Sequence, residues 1–261
     1  MAKPATLNLS EFGRASIAGI MPLVLKDVSY EIGRMRLIKD ISVEFASPAL
    51  TVILGPNGAG KSLLLRLCHG IIEPSSGTIE WGGSESALAY RHQAMVFQRP
   101  VMLRRSVFAN LDHALKHRGI KKSKRIQKIE KILSHTGLTR LAKISARLLS
   151  VGEQQRLAVA RAWSLDPEVL FLDEPTLGLD VNAQLRVRQF LAEYNRRTGA
   201  TVLLTSHYMA DITALCPRVL LIHQGQLFHD GPLDRLTSRL APERHVRLEL
   251  EEPAPAEAFS G

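Results

Sequence analysis

The order of apolar and polar residues predicts an α/β fold, because short unbroken apolar runs alternate with stretches of helical periodicity. Unbroken runs are typical of parallel strands that are buried on both faces of a sheet. Such runs occur at residues 50–54, 169–172 and 201–205. Further strand signals lie at residues 23–30, 37–45, 77–83, 219–222 and 226–228. Gln224-Gly225 predicts a hairpin turn between the last two of these strands.

The segments between the strands predict helices and one helical insertion. Helical signals cover residues 63–67, 181–197 and 208–215. Residues from about 103 to 163 carry no clear strand signal, so we expect a mostly helical subdomain there. The predicted organisation is a lead-in at residues 1–22, one domain at residues 23–240 and an acidic, flexible tail at residues 241–261.

Composition and cysteine usage indicate a globular protein of a reducing compartment. The 261 residues are 45% hydrophobic and 23% charged, and no apolar run approaches the ~20 residues of a membrane-spanning helix. The N-terminus shows no pattern of a secretory signal. Cys68 and Cys216 lack the spacing of a metal or redox motif and predict two buried thiols. Together these features favour the cytoplasm.

The net charge of +9 permits an anionic partner, such as a nucleotide, a nucleic acid or an acidic membrane face. Much of the excess lies in residues 116–131, where Ile126 and Ile129 also recur at helical spacing. This pattern predicts an amphipathic helix with a solvated basic face. No aromatic residues interleave to stack on bases, so we expect no nucleic-acid partner. Contact with an anionic membrane surface stays open.

The strongest motif is a glycine-rich loop that fits G-x-x-x-x-G-K-[ST] between the apolar run at residues 50–54 and a helical stretch. Glycines allow successive backbone N–H groups to converge on an anion, and the helix N-terminus adds a favourable dipole. We expect Lys61 to reach the β- and γ-phosphates of a nucleoside triphosphate and the Ser62 hydroxyl to ligate Mg²⁺. The residues expected to contact the nucleotide here are Gly55, Pro56, Asn57, Gly58, Ala59, Gly60, Lys61, Ser62 and Leu63.

Two acidic residues, Asp173 and Glu174, follow the apolar run at residues 169–172. In a parallel sheet this places both carboxylates at the C-terminal edge, where ligands bind. Asp173 is a natural partner of Mg²⁺, usually through water, because that ion prefers hard oxygen ligands. Glu174 is placed to orient the water that attacks the γ-phosphate or to accept its proton. After a phosphate-binding loop, this pair predicts nucleotide hydrolysis.

A third segment, residues 149–156, reads Leu-Ser-Val-Gly-Glu-Gln-Gln-Arg and precedes a helical stretch. Ser150 and Gly152 offer a hydroxyl and backbone N–H groups to an anion; an N-cap that serves only its own helix is the alternative. Together the three segments resemble the nucleotide-binding subunit of ATP-binding cassette (ABC) transporters. Residues 149–156 are similar to the L-S-G-G-Q signature of that family.

This resemblance spans roughly residues 23–235. It implies a phosphate-loop NTPase cassette with a mixed β-sheet core and a helical subdomain, which hydrolyses ATP with Mg²⁺. By resemblance, Tyr30 stands in the place of the adenine-stacking aromatic, Asp180 lies in the loop that communicates across a dimer, and His207 is the switch histidine. The implied catalytic residues are Glu174, His207, Lys61 and Gln98, and the implied metal ligands are Ser62, Gln98 and Asp173.

In this family the signature of one subunit completes the ATP site of another. The resemblance therefore implies a homodimer in which Ser150, Gly152 and Glu153 face the nucleotide that is held by the phosphate loop of the second copy. The chain departs from the family pattern at Val151 and Glu153, which stand where Gly and Gln are usual. Val151 adds a β-branched side chain where backbone approaches phosphate. Because Gly152 is kept, we expect the site to function.

Residues 97–107, with Ala109-Asn110, resemble tungstate/molybdate-type oxyanion importers. Since no membrane span is predicted, the resemblance implies separate permease subunits that hold the chain at the cytoplasmic face of the cell membrane. It implies a solute-binding protein indirectly. An importer ATPase for another small solute, such as phosphate or an amino acid, is an alternative. So is a non-transport ABC ATPase that signals through a membrane partner or acts on DNA or ribosomes.

Overall fold

The computed structural model describes residues 19–240 except residues 47, 83–85 and 216. The predicted lead-in before residue 19, the predicted tail at residues 241–261 and Cys216 lie outside the described residues. Cys68 is a buried free thiol, as expected, and burial raises its pKa to about 12.

Strands and helices follow one another largely as the sequence pattern predicts. The strands are β1 (Leu23–Ile32), β2 (Met35–Phe45), β3 (Leu50–Leu54), β4 (Ser76–Trp81), β5 (Gln93–Val96), β6 (Val169–Asp173), β7 (Thr201–Thr205), β8 (Arg218–His223) and β9 (Gln226–Gly231). The helices are α1 (Lys61–His69), α2 (Val107–His117), α3 (Lys122–His135), α4 (Val151–Trp163), α5 (Val181–Thr198), α6 (Met209–Leu215) and α7 (Leu233–Leu240). Helix α7 was not predicted.

The central sheet has the strand order β5-β6-β7-β3-β8-β9. The first five strands in this order, β5, β6, β7, β3 and β8, are parallel to one another. The last strand, β9, pairs antiparallel with β8, which makes the sheet mixed. Every residue of β3, β6 and β7 is buried, as their unbroken apolar runs predict. A separate antiparallel sheet has the order β2-β1-β4. The predicted α/β fold with a mixed sheet is therefore confirmed.

The two faces of the central sheet pack against different elements. On one face, Val52, Leu172 and Leu204 share a core with helices α2 to α5. On the other face, Ile53 and Phe171 share a core with α1 and the antiparallel sheet. Burial on both faces fixes the C-terminal ends of β3, β6 and β7 side by side at one edge of the sheet.

The segment at residues 103–163 contains α2, α3, α4 and the short 3₁₀ helices Thr139–Leu141 and Ala146–Leu148. We expected one helix over the basic stretch at residues 116–131, and this was wrong. The stretch consists of the end of α2 and most of α3. The chain turns between them at Gly119, where φ is 75°. Helix α3 is amphipathic as predicted, with Ile129 and Ile132 buried and its lysines directed largely to solvent.

The last residues of the predicted lead-in are packed into the domain. Ile20 is fully buried, and its backbone N–H donates to Glu168 Oε2 at 3.2 Å. The Nδ1 atom of His92 lies 2.7 Å from Glu168 Oε1. The buried carboxylate of Glu168 therefore attaches the chain before β1 to the N-terminal end of β6, opposite the edge described above.

Because the central strands are buried, we expect that shortening one of their side chains lowers the free energy of unfolding strongly. Leu203→Ala, in β7, should lower the free energy of unfolding by about 2–5 kcal/mol, because the fully buried side chain leaves a cavity. Leu148→Ala, at a leucine that is 80% exposed, is the matched control and should change that free energy by less than about 0.5 kcal/mol. Urea denaturation followed by circular dichroism measures both, and equal effects would contradict this packing.

Candidate functional site

The phosphate loop connects β3 to α1 in a conformation that demands glycine. Gly60 has φ of 103°, and a Cβ atom there would lie 2.6 Å from Ile38 Cδ1. Gly55 has φ of 151°, and a Cβ atom there would lie 2.2 Å from the carbonyl oxygen of Ile222. Gly58 is also left-handed, with φ of 80°. Backbone rather than side chains therefore forms the surface that precedes α1.

Lys61 is the first residue of α1 and is only 6% exposed. Its Nζ atom donates hydrogen bonds to the carbonyl oxygens of Gly55 at 2.8 Å and Pro56 at 3.1 Å. No side chain caps the N-terminus of α1. The loop thus combines an ammonium group with uncapped helix N–H groups, which is the donor set that binds phosphate.

Asp173 ends β6 and connects three elements. Its Oδ1 atom accepts hydrogen bonds from the Ser62 hydroxyl at 2.7 Å and from the Thr205 hydroxyl at 2.8 Å. Its Oδ2 atom is buried and has no hydrogen-bond partner. An unpartnered carboxylate oxygen beside a serine hydroxyl fits a Mg²⁺ ion, because that ion takes oxygen ligands from both the protein and the substrate phosphates. The residues present therefore fit this metal.

Glu174 follows with its backbone in the left-handed region, at φ of 49°. The Thr205 hydroxyl accepts a hydrogen bond from the Glu174 N–H at 2.9 Å and holds this strained turn in place. The side chain then points to His207, whose Nδ1 atom lies 3.0 Å from Glu174 Oε2. A carboxylate oriented by an imidazole is suited to general base chemistry.

These groups surround one pocket of about 520 Å³ at the C-terminal edge of the central sheet. Its lining residues are Asn57, Gly58, Ala59, Gly60, Lys61, Ser62, Leu63, Gln98, Glu174, Leu177 and His207. The structure thus brings the phosphate loop together with Gln98, Glu174 and His207 around one cavity. Asp173, Gly55 and Pro56 do not line the pocket but contact residues that do. Asp173 accepts a hydrogen bond from Ser62, and the carbonyl oxygens of Gly55 and Pro56 accept from the Lys61 ammonium.

Tyr30, by contrast, does not line this pocket. It lies on β1 opposite Ile38 of β2 and is partly buried against the core of the antiparallel sheet. Ile38 in turn approaches Gly60. Tyr30 is therefore separated from the phosphate loop by one strand of the antiparallel sheet.

The signature residues also lie outside the pocket and cap their own helix. The Ser150 hydroxyl accepts from the Glu153 N–H at 3.4 Å, and Glu153 Oε2 accepts from the Ser150 N–H at 2.8 Å. This is the capping box of α4. The N–H and hydroxyl of Ser150 hold the pKa of Glu153 below its usual range. Ser150 is therefore an N-cap of its own helix, which was the alternative to anion binding for this residue.

The start of α4 touches the loop between β6 and α5. A Cβ atom at Gly152 would lie 3.2 Å from Leu179, and one at Gly178 would lie 3.8 Å from Val151. Asp180 ends this loop and caps α5 by accepting from the Ala183 N–H at 2.9 Å. The signature and the loop of Asp180 therefore form one continuous surface, on which Val151 is 68% exposed.

Two residues of the site were not predicted. Thr205 bonds to both Asp173 and the Glu174 backbone, and Leu177 lines the pocket. The position of Thr205 at the end of a buried strand was a usable signal, because neighbouring parallel strands end at the same edge. Leu177 begins the segment at residues 177–180 that resembles the loop communicating across a dimer, but nothing indicated that it lines this pocket, since leucine is common in any core.

Comparison with known proteins agrees with this geometry. Residues 38–177, more than half of the chain, match the family model of ABC transporters. The protein belongs to this family and is an ABC ATPase.

Three relatives show which members it is similar to. It is 35% identical to the tungstate uptake system ATP-binding protein TupC of Peptoclostridium acidaminophilum, over 79% of this chain and 97% of that protein. It is 31% identical to the Fe(3+) ions import ATP-binding protein FbpC of Pasteurella multocida, over 83% of this chain but 63% of that protein. It is 31% identical to the methionine import ATP-binding protein MetN of Clostridioides difficile, over 82% of this chain and 70% of that protein.

Solved structures share the fold. An ATP-binding subunit of an ABC transporter superposes with a TM-score of 0.75 at 24% identity, covering 84% of this chain and 93% of that one. A dimeric ATP-binding cassette, MJ0796 in a post-hydrolysis state with ADP and Pi, gives 0.72 at 24% identity, covering 81% and 98%. None of the helices among the described residues combines the length and the apolar character that a membrane span requires.

The phosphate loop predicts a specific loss of ATP affinity. Lys61→Ala should weaken ATP binding by about tenfold to a hundredfold, because it removes a charged hydrogen-bond donor. Lys122→Ala, at an exposed lysine of α3, is the matched control and should bind as the wild type does. Titration with a fluorescent ATP analogue measures both affinities, and unchanged binding by Lys61→Ala would contradict the assignment.

Proposed function

We propose that this protein is the ATP-hydrolysing nucleotide-binding subunit of a multi-subunit ABC importer. The observation that carries the proposal is the pocket in which Lys61, Gln98, Glu174 and His207 converge beside the Ser62–Asp173 contact. The named import and uptake relatives support the direction of transport.

The phosphates of ATP bind in the loop that precedes α1. Lys61 turns its ammonium from the loop carbonyls toward the β- and γ-phosphates, and the N–H groups of the loop and of the first turn of α1 donate to the same oxygens. Ser62 and Asp173 would hold Mg²⁺, with Gln98 as a further oxygen ligand. The ion, when bound, neutralises charge on the β- and γ-phosphates.

Hydrolysis uses the acidic end of β6. A water molecule attacks the γ-phosphorus, the bond from that phosphorus to the bridging oxygen of the β-phosphate breaks, and ADP and phosphate result. Glu174 orients this water and accepts its proton. His207, in contact with Glu174, orients that carboxylate and donates to the γ-phosphate.

A second copy of the chain completes the site. Ser150, Gly152 and Glu153, with Asp180 nearby, lie on a surface away from the pocket of their own chain. In a head-to-tail dimer this surface faces the nucleotide that is held by the phosphate loop of the other copy. The adenine of that nucleotide stacks on Tyr30 of the copy whose phosphate loop holds it. ATP binding closes the dimer, and hydrolysis reopens it. The homodimer and the role of Tyr30 rest on the family resemblance.

The proposed base role of Glu174 predicts a separation of binding from catalysis. Glu174→Gln should bind ATP within about threefold of wild type but hydrolyse it about 10²–10⁴-fold more slowly, because the amide accepts no proton. Glu130→Gln, at an exposed position of α3, is the control and should hydrolyse ATP normally. Phosphate release measures the rate, and near wild-type turnover by Glu174→Gln would overturn this role.

We further propose that the transported solute is a small oxyanion such as tungstate or molybdate. The supporting observation is the 35% identity to a tungstate uptake ATP-binding protein over 97% of its length, whereas the iron relative is matched over 63% of its length. Permease subunits hold the protein at the cytoplasmic face of the membrane, and a solute-binding protein delivers the oxyanion to them from outside.

Affinity capture tests the transport assembly and the solute together. The tagged protein is purified from detergent-solubilised membranes of its host, and co-purifying proteins are identified by mass spectrometry. A permease with a solute-binding protein that binds tungstate or molybdate more tightly than sulfate, phosphate, Fe³⁺ or methionine is the expected result. A binding protein that prefers Fe³⁺ or methionine would refute the oxyanion, and one that prefers sulfate or phosphate would refute tungstate and molybdate. Capture of ribosomal or nucleic-acid partners alone would refute transport.

A further inference from the structure

The loops that carry Glu174 and His207 are both attached to one carboxylate, that of Asp211 on α6. Asp211 is fully buried. Its Oδ2 atom accepts hydrogen bonds from the hydroxyls of Thr176 and Ser206, each at 2.6 Å. Thr176 lies two residues after Glu174, and Ser206 directly precedes His207. One oxygen atom therefore joins the two loops that supply the Glu174–His207 contact.

The charge of Asp211 is balanced from α5. Arg188 donates from Nε to Asp211 Oδ1 at 2.5 Å and from its guanidinium to Gln184 Oε1 at 3.1 Å. The Gln184 amide in turn donates to the carbonyl oxygen of Leu179 at 3.2 Å. The loop after β6 leads directly into α5, and side chains of α5 and α6 also bind it: Gln184 at Leu179 and Asp211 at Thr176.

A buried ion pair is costly to desolvate, and apolar residues of similar shape often give equal or greater stability. What Asp211 and Arg188 supply that apolar residues do not is a fixed geometry for two hydroxyl groups. Thr176 and Ser206 are each 1% exposed, so neither hydroxyl has solvent as an alternative partner. The hydrogen bonds to Asp211 therefore set where each loop lies.

The Glu174–His207 contact depends on the relative position of those loops. Glu174 is held at φ of 49°, and His207 reaches it at 3.0 Å. Small displacements of catalytic groups produce large losses of rate, because the reacting atoms must be aligned. A shift of the loop at Thr176 or at Ser206 would separate the carboxylate from the imidazole, whereas Lys61 is held by the carbonyl oxygens of Gly55 and Pro56, which neither residue contacts.

We propose that Asp211 is a positioning residue for ATP hydrolysis, which sets the Glu174–His207 distance by binding the hydroxyls of Thr176 and Ser206. It acts through these two residues and not on the nucleotide. This inference rests on the proposed function, because it concerns the same hydrolytic step.

The test removes the hydroxyl groups and leaves the Asp211–Arg188 pair intact, since loss of either charge risks unfolding. Thr176→Val has nearly the shape of threonine but no hydroxyl, whereas Thr176→Ser keeps the hydroxyl and loses the methyl group. Steady-state kinetics should show kcat about tenfold lower for Thr176→Val and for Ser206→Ala, with the KM for ATP within about twofold of wild type. Thr176→Ser should retain wild-type kcat.

A double-mutant cycle with His207 separates positioning from general stability. If the hydroxyls act through the Glu174–His207 contact, Thr176→Val should lower kcat no further in a His207→Ala background. Thr198→Val is the control for loss of a buried hydroxyl, because Thr198 bonds to the Tyr194 carbonyl far from the site. It should leave kcat unchanged.

Wild-type kcat in Thr176→Val, an equal loss in Thr176→Ser, or additive effects with His207→Ala would each overturn the positioning role. If Glu174→Gln and His207→Ala are impaired in the same experiment, only this inference fails. If those two variants also turn over at the wild-type rate, the proposed function fails with it.

Discussion

The site depends on one buried carboxylate that must find polar partners. Asp173 is 1% exposed at the end of the central strand β6. Ser62 and Thr205 supply hydroxyl groups to the same oxygen, from the start of α1 and the end of β7. Because leaving that oxygen unpaired would be costly, the phosphate loop and the two strand ends are held together. The strand order β6-β7-β3 makes this possible, since all three strands end at one edge.

Much of this arrangement follows from local sequence signals. The buried strands were predictable because their apolar runs are unbroken, and the loop was predictable because only glycine tolerates its backbone at Gly55 and Gly60. The edge of the sheet then places Asp173 and Glu174 beside the loop. The break of the basic segment at Gly119 was missed, because the apolar periodicity that predicted a helix, from Ile126 to Leu133, lies entirely after it and says nothing of the residues before it.

The remaining contacts were not predictable because they join residues that are far apart in the chain. Ser62 and Asp173 are separated by 111 positions, and Thr176 and Asp211 by 35. Serine, threonine and a single aspartate carry little signal in isolation, since they are common at turns and helix ends. Only the packing of α5 and α6 against the sheet makes Asp211 the shared acceptor of two loops. Such buried networks fix geometry that local patterns do not encode.

We have proposed that ATP binds across the phosphate loop and the end of β6, and that a second copy of the chain covers the nucleotide with residues 150–153. Hydrogen–deuterium exchange of the wild-type protein with Mg²⁺ and a non-hydrolysable ATP analogue tests this most directly. We predict slower amide exchange at residues 55–63 and 173–177 and, because ATP closes the proposed dimer, also at residues 150–153. Unchanged exchange at residues 55–63, with protection elsewhere, would contradict it.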